Sequence, residues 1–217
     1  MLPEVVSALA DDSTAREVFD VLGTARAIRY LRSDPVSDEH VQALVWAATR
    51  ASSADNTQPW RFVAVTDQAQ RERIADAVSD FGEFSRDLAE PGDDTSVRTR
   101  QAATHLQRNL AAAPLLLFVC GRNDYPAVRP QERYLWSALF AATQNVVVAA
   151  RALGLSAVFT MLHVANPSGV RAVLGVPRDY KIASMLAVGW PDRPTGPVTR
   201  RPVEDVIFRD AWPAGPG

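Results

Sequence analysis

The sequence predicts one α+β domain in which helices outnumber strands. Short apolar runs, partly β-branched and bounded by polar or turn residues, predict strands, and longer segments with apolar residues at helical spacing separate them. No internal repeat and no linker divides the 217 residues, so a single domain is expected over residues 1–217. The predicted strands occupy residues 62–65, 114–120, 156–162 and 182–188.

Composition limits the classes of function. With 47% hydrophobic residues the chain can bury a core, and a net charge of -2 gives no general attraction to nucleic acid or anionic membrane. The single cysteine, Cys120, excludes an internal disulfide and a multi-cysteine metal site. No apolar run approaches the ~20 residues of a membrane span, and the start lacks a signal-peptide pattern. We therefore expect a cytoplasmic, globular protein.

The first third of the chain predicts a series of helices. A short leading helix is expected over residues 1–13, and the capping box Thr14/Glu17 begins another that stops near Gly23. The next segment, 24–32, carries three arginines. Ser37 is placed to cap a third helix, and Asp67 to cap a fourth after the strand at 62–65.

The central loop, residues 51–59, lies between the third helix and that strand. It contains small hydroxyl and amide residues and ends in Pro59-Trp60. Pro59 disfavours helix at Gln58, so Asn56 and Gln58 are expected on extended backbone, where their amides can donate and accept hydrogen bonds. A ligand-binding loop and an ordinary polar connection are equally compatible with these residues.

The second half predicts a long helix among strands. Residues 82–99 are the least structured part of the interior, either a flap over a site or a surface connection. A helix follows near 100–110, and the longest helix runs over 130–153 with Gly154 closing it. It is apolar nearly all round, which favours contact with a second subunit. Asn166-Pro167 begins a short helix ending at Gly175, and a proline-rich tail is expected to form an extended arm.

Several chemistries are excluded by their missing motifs. The sequence has no G-x-G-x-x-G after a strand, no P-loop and no G-x-S-x-G. Its three histidines are not at metal-ligand spacing, and His163 is expected at the surface more than in a ligand contact. What remains is a set of arginines and amides on loops, suited to an anionic, flat ligand.

The order of motifs resembles the flavin-dependent nitroreductase family. Residues 26–29 (RAIR), then Pro35-Val36, then 51–62 (ASSADNTQPWRF) follow the family pattern R-S-x-R, P-V, A-P-S-x-x-N-x-Q-P-W. Gln144-Asn145, 150–155 and Arg200-Arg201-Pro202 continue it, so the similarity covers about residues 20–208. The resemblance implies a nitroreductase-like fold with a mixed or antiparallel sheet flanked by helices, and a long central helix at a homodimer interface.

The resemblance also implies FMN sites shared by two subunits. Arg26, Ala27 and Arg29 would hold the phosphate, the ribityl chain and the pyrimidine edge, and Arg200 or Arg201 would return to the phosphate. Three groups of residues complete the implied set: the partner's Ser52, Ser53, Ala54 and Asn56; Gln58, which supports them; and Thr160, Met161 and Leu162, which line the flavin ring. No metal is implied.

The chain departs from the family pattern at three positions. Ala27 replaces a serine, Ser52 replaces a proline, and Met161 stands where some members have an acidic residue. The implied activity is ping-pong transfer of hydride from NAD(P)H, through flavin, to nitroaromatics, quinones or similar acceptors. Arg29 would be catalytic, because it would stabilise the negative charge of reduced flavin. A deazaflavin-using relative and a non-catalytic flavin-sequestering protein are the alternatives.

Overall fold

A four-stranded antiparallel sheet forms the centre of the computed structural model, which describes residues 13–79, 94–125 and 132–212. The strand order is β1-β2-β4-β3, and every neighbouring pair is antiparallel. The strands are β1 (Trp60–Val65), β2 (Leu115–Arg122), β3 (Ser156–Thr160) and β4 (Tyr180–Gly189).

Six α-helices lie within the described ranges and cover the two faces of this sheet. They are α1 (Ser13–Thr24), α2 (Asp38–Ala48), α3 (Gln68–Ala77), α4 (Asp94–Arg108), α5 (Glu132–Ala152) and α6 (Pro167–Leu174). The predicted α+β class, with helices outnumbering strands, is confirmed.

Strand β2 is central because its residues are apolar on both sides. All of them except Arg122 are buried, as expected for a strand covered on both faces. Leu115, Leu117 and Val119 face the core that includes α5 and α2. Leu116 and Phe118 face the opposite core, beneath α3 and α6.

Local sequence signals set the helix ends. The Ser37 hydroxyl accepts from the His40 amide, and Asp67 accepts from the Gln70 amide at 2.8 Å. Asn166 caps α6 in the same way, with Pro167 in its first turn. Gly175 takes a left-handed φ of 67° at the end of α6, a conformation that glycine adopts without steric cost.

The long helix α5 is anchored to its neighbours by polar contacts that are buried or partly buried. Thr143 and Ser184 of β4 are both fully buried, and their hydroxyl oxygens lie 2.8 Å apart. Thr143 also donates to the Leu139 carbonyl at 2.8 Å. The Asn145 amide donates to the Ala47 carbonyl at 3.1 Å, which joins α5 to α2.

Several predicted boundaries were wrong, those of β1, β2 and β4 by one or two residues. Helix α1 continues through Gly23 to Thr24, and residues 94–99 belong to α4 rather than to an irregular segment. Strand β3 ends at Thr160, because residues Leu162–Val164 form a 3-10 turn. The expected leading helix over 1–13, the rest of the expected flap and the predicted start of the long helix at Pro130 fall largely or wholly outside the described residues.

Within the described residues, no helix has the length and apolar character needed to cross a membrane. The same ranges contain no group of three or more histidine, cysteine, aspartate or glutamate side chains arranged to hold a metal ion.

The buried Thr143–Ser184 hydrogen bond should stabilise the fold, because removing one hydroxyl leaves the other buried without a partner. The Thr143 hydroxyl donates its only hydrogen to the Leu139 carbonyl, so the Ser184 hydroxyl is the donor to Thr143. Thr143→Val should lower the free energy of unfolding by about 1–3 kcal/mol, because it leaves the Ser184 hydroxyl buried and unpaired. Ser184→Ala should cost less, and the double variant should recover part of the loss. Urea denaturation of all four proteins measures this coupling; strictly additive losses would contradict it.

Candidate functional site

The segment after α1 is held against the edge of the sheet by one buried hydroxyl. Ser156, the first residue of β3, accepts from the Ile28 amide at 3.2 Å and donates to the Ile28 carbonyl at 3.3 Å. Both residues are buried. Arg26 and Arg29 flank Ile28, so this contact fixes where their side chains begin.

The chain leaving β4 then runs beside this arginine segment. The Arg32 amide donates to the Trp190 carbonyl at 2.8 Å, and the Asp192 amide donates to the Tyr30 carbonyl at 3.2 Å. Further along, the Arg26 guanidinium donates to the Pro197 carbonyl at 3.4 Å. Backbone contacts thus bring a segment far away in sequence to the side of residues 26–30.

These two segments and α4 enclose a cavity of about 560 Å³, which we call the arginine cavity. Four guanidinium groups line it, and none of its described lining residues is an aspartate or a glutamate. A cluster of guanidinium groups favours a bound anion such as a phosphate or carboxylate. The lining residues that matter below are Arg26, Ala27, Arg29, Arg98, Gln101 and Arg193.

Of the four arginines, Arg29 is the one whose pKa is lowered by burial. Its side chain is partly buried, and this loss of hydration lowers its pKa below the usual arginine value, although the group stays charged. No carboxylate among the described residues offsets that burial. Arg193, by contrast, is an exposed side chain that pairs with Asp192 at 3.1 Å, and its guanidinium lies over the Tyr30 ring at 4.7 Å.

The central loop is a strained turn rather than the extended segment predicted from Pro59. Asp55, Asn56 and Gln58 have φ values of 51°, 52° and 48°, so the expectation of extended backbone at Asn56 and Gln58 was wrong. Left-handed backbone at a non-glycine residue costs about 1–3 kcal/mol unless surrounding contacts hold it. Proline disfavours right-handed helix at the preceding residue, and Gln58 avoids it by the left-handed region instead.

Hydrogen bonds inside the loop hold this conformation. The Ser53 hydroxyl accepts from the Gln58 amide at 3.1 Å, and the Gln58 side chain donates to the Asn56 side chain at 3.2 Å. Ser52, Asn56 and Gln58 are exposed, and Ser53 and Ala54 are half-buried. None of them lines the arginine cavity of the same chain. The predicted site residues therefore fall into separate groups within one subunit.

The predicted ring-lining residues lie at the far end of β3 from Ser156. Thr160 donates to the Met185 carbonyl at 3.0 Å, Met161 is 39% exposed and Leu162 is buried. His163, expected at the surface, is instead buried, with its Nε2 atom 3.1 Å from the Ile182 carbonyl oxygen. Burial lowers its pKa, which favours the neutral ring. The turn after Thr160 carries His163 inward.

The late arginines do not join the cavity in the single chain. Arg200 and Arg201 are exposed, and Arg200 donates to the neighbouring Thr199 carbonyl at 2.8 Å. Arg193 and two α4 residues, Arg98 and Gln101, line the cavity although sequence reasoning did not identify them. Nothing in their local sequence distinguishes them from solvated side chains, because only the tertiary fold brings them to residues 26–30.

Comparison with known proteins places this architecture in a family. The sequence pattern described as the Nitroreductase family matches residues 22–190, which is most of the chain and includes the arginine segment, the central loop and all four strands. The chain belongs to the nitroreductase family.

The relatives of this nitroreductase-family chain have several activities. It is 33% identical over 189 residues to a 5,6-dimethylbenzimidazole synthase of Rhodospirillum rubrum, covering 83% of this chain and 85% of that protein. It is 29% identical over 195 residues to an NADH dehydrogenase of Thermus thermophilus, covering 84% and 91%. A crystal structure of iodotyrosine deiodinase bound to FMN and 3-iodo-L-tyrosine superposes with a TM-score of 0.71 at 22% identity, covering 90% and 99%. The predicted nitroreductase-like fold is confirmed.

Ser156 should control the order of the arginine segment. Ser156→Ala removes both hydrogen bonds to Ile28, so the Ile28 amide should exchange with solvent about tenfold to a hundredfold faster, in line with the ~1–3 kcal/mol cost of an orphaned buried group. Hydrogen exchange followed by mass spectrometry or NMR measures this. Thr160→Val, which removes a hydroxyl from the other end of β3, is the matched control. Equal protection of Ile28 in all three proteins would show that other contacts hold the segment.

Proposed function

We propose that this nitroreductase-family protein is an FMN-dependent oxidoreductase that transfers hydride from NAD(P)H to nitroaromatics, quinones or similar small acceptors. The observation that carries the proposal is the arginine cavity, in which guanidinium groups converge and the described lining has no carboxylate. Relatives named as an NADH dehydrogenase and as an FMN- and NADPH-dependent nitroreductase support it.

The residues present fit the parts of FMN. The phosphate needs cationic donors, which Arg26 offers at the exposed mouth of the cavity. The half-buried Ala27 leaves space for a flexible chain but no hydroxyl contact. Thr160, Met161 and Leu162 would line the ring. Bound FMN would supply a ring that accepts hydride from one substrate and passes it to the next.

Arg29 is the residue that we propose to be catalytic. Its positive charge is partly removed from water, where an interaction with a developing negative charge is stronger than at the surface. A guanidinium held beside the pyrimidine edge would stabilise the ligand more after it gains negative charge than before. Such differential stabilisation lowers a barrier rather than only tightening binding.

The proposed site requires two copies of the chain. The central loop is ordered by its own hydrogen bonds yet presents Ser52, Asn56 and Gln58 to solvent, away from its own arginine cavity. In a homodimer these side chains would complete the partner's site, with Gln58 supporting Asn56. Arg200 or Arg201 would contact the FMN phosphate in the same assembled site.

Exposed apolar surface supports the dimer. Helix α1 buries none of its residues, although it carries an apolar stripe, and the outer face of α5 and the tail carry further large apolar groups. Large apolar side chains left exposed on a single chain favour association. These exposed side chains, together with Phe159 of β3, are Val18, Phe19, Leu22, Phe140, Val206, Phe208 and Trp212.

A second activity is favoured by one comparison. The 33% identity to 5,6-dimethylbenzimidazole synthase extends over more than four fifths of both chains. Dimethylbenzimidazole contains the dimethylbenzene unit that flavin also has, so we propose synthesis of this compound as the second candidate. Incubation with reduced FMN in air, followed by mass spectrometry, tests it. Formation of dimethylbenzimidazole would favour the synthase over the reductase.

Two measurements on the purified protein test the leading proposal. The spectrum and mass of the released ligand should identify FMN, whereas a deazaflavin would replace FMN in the account. Steady-state oxidation of NADH or NADPH with menadione or nitrofurazone should show turnover and ping-pong kinetics. Bound FMN without turnover would instead identify a flavin-sequestering protein.

Arg26 should discriminate between flavins by their phosphate. Arg26→Ala should weaken FMN by about 10²- to 10⁴-fold, as expected for two charge-assisted hydrogen bonds at ~1.5–3 kcal/mol each. It should leave the affinity for riboflavin nearly unchanged, because riboflavin lacks the phosphate. Fluorescence titration of the apoprotein measures both constants, with Arg73→Ala on α3 as the control. An equal loss for both flavins would place Arg26 away from the phosphate.

Phe140 should link assembly to flavin binding. Its ring is 37% exposed and lies next to Trp136 and Phe159, so Phe140→Glu places a charge within the proposed interface. Light scattering should show a shift from dimer to monomer, with loss of bound FMN in the same fractions. Ala69→Glu, on the exposed surface of α3, should remain an FMN-loaded dimer. A wild-type monomer that retains FMN would contradict the two-subunit site.

A further inference from the structure

A buried histidine, His163, connects the turn after β3 to strand β4. It is 3% exposed and belongs to the 3-10 turn Leu162–Val164. Its Nε2 atom lies 3.1 Å from the Ile182 carbonyl oxygen. A carbonyl oxygen only accepts hydrogen bonds, so Nε2 carries the hydrogen and donates it. The other ring nitrogen, Nδ1, is buried and has no hydrogen-bond partner among the described residues. The Nε2 donor is therefore the polar contact through which this ring acts.

The Ile182 carbonyl lies where β4 continues past the end of β3. Thr160, the last residue of β3, is opposite Met185, and the two strands are antiparallel. Ile182 precedes Met185 by three positions, so β3 does not reach it. A backbone carbonyl left without a strand partner needs another donor. His163 supplies that donor from the turn that replaces the end of β3.

Strand β4 is also irregular at this point. Val119 of β2 pairs with Ser184. The next residue of β2, Cys120, pairs with Ile182, which leaves Ala183 as an extra residue in β4. A bulge of this kind interrupts the ladder and is common beside active sites, where it changes the direction of nearby side chains. The His163 hydrogen bond thus ends on a part of β4 that the regular ladder does not hold.

Two side-chain hydrogen bonds to β4 bracket the segment that would line the flavin ring. On one side of it, Thr160 donates to the Met185 carbonyl at 3.0 Å. On the other side, His163 donates to the Ile182 carbonyl at 3.1 Å. Residues 161–162 lie between these two contacts. Their position relative to the sheet therefore depends on both donors, and His163 is the one that holds the turn itself.

We propose that His163 is a positioning residue, which fixes the ring-lining turn through the Ile182 carbonyl and thereby sets how tightly this protein holds the flavin ring. The inference rests on the proposed function, because it takes Thr160, Met161 and Leu162 as contacts of that ring. His163 itself touches no reacting atom. It acts on the ring only through the turn.

Substitutions that separate ring volume from hydrogen-bond donation test the proposal. His163→Phe keeps a flat ring but has no donor, so it should weaken FMN and riboflavin by the same factor, about fivefold to a hundredfold. Both flavins should be affected because both carry the ring. His163→Gln, whose side-chain amide donates from near the Nε2 position, should return both affinities to within about threefold of the wild type. Fluorescence titration of the apoprotein measures these constants.

Thr143→Val is the matched control for a general loss of stability. It leaves the Ser184 hydroxyl unpaired beside the same bulge, on the side of β4 that faces α5. It should lower the free energy of unfolding, as predicted above, and leave both flavin affinities unchanged. The visible absorption bands of bound FMN should shift in His163→Phe and stay in place in Thr143→Val, because only the first substitution moves the ring-lining turn.

Three results would overturn the proposal: unchanged flavin affinities in His163→Phe, an equal loss in His163→Phe and His163→Gln, or an equal loss in Thr143→Val. A loss for FMN without a loss for riboflavin would also overturn it, because the effect would then lie at the phosphate. Each of these results leaves the flavin reductase function in place. A wild-type protein that binds no flavin would refute that function and this inference together.

Hydrogen exchange of the wild-type protein decides the proposal if His163→Phe does not fold. The Val164 amide donates to the Met161 carbonyl at 3.0 Å within the turn. Flavin bound against this turn should slow exchange of the Val164 amide relative to the apoprotein. Equal exchange with and without FMN would show that the turn does not contact the flavin, and the proposal would fail.

Discussion

The rest of the site depends on one guanidinium group, that of Arg29. It is partly removed from water, and no carboxylate among the described residues compensates it. Partial burial costs the Arg29 guanidinium part of its hydration free energy. The fold keeps Arg29 in place because Ser156 fixes the adjacent Ile28 backbone to the start of β3. Its charge can be offset by a ligand that brings an anion. The surrounding architecture, an antiparallel sheet with its most apolar strand in the centre, supplies the rigidity that this arrangement requires.

The central loop is a second place where local contacts hold an unfavourable arrangement. Its left-handed residues are held by hydrogen bonds from Ser53 and between Gln58 and Asn56, although the polar side chains face solvent in the single chain. Strain retained in an exposed polar loop favours a binding role, because an ordinary connection would have no reason to keep it. Together with the exposed apolar residues of α1, α5 and the tail, it supports a site that is completed by a second subunit.

Much of the fold could be predicted because its signals are local. Caps such as Ser37, Asp67 and Asn166 act within three residues, and the apolar run of β2 determines its own burial. The motif order also predicts Arg26 and Arg29 as site residues, and both line the arginine cavity. Arg98 and Arg193 could not be found, because only tertiary contacts bring α4 and the segment after β4 to residues 26–30. The left-handed Gln58 and the buried His163 were missed for a related reason, since neighbouring contacts override local preference there.

The position of the phosphate in a crystal structure of the FMN-loaded protein tests the central claim most directly. We expect phosphate density within hydrogen-bond distance of the Arg26 guanidinium, with Arg29 at the pyrimidine edge and Ser52–Asn56 of a second subunit closing the same site. Phosphate bound away from residues 26–29, or FMN enclosed by one subunit alone, would contradict it.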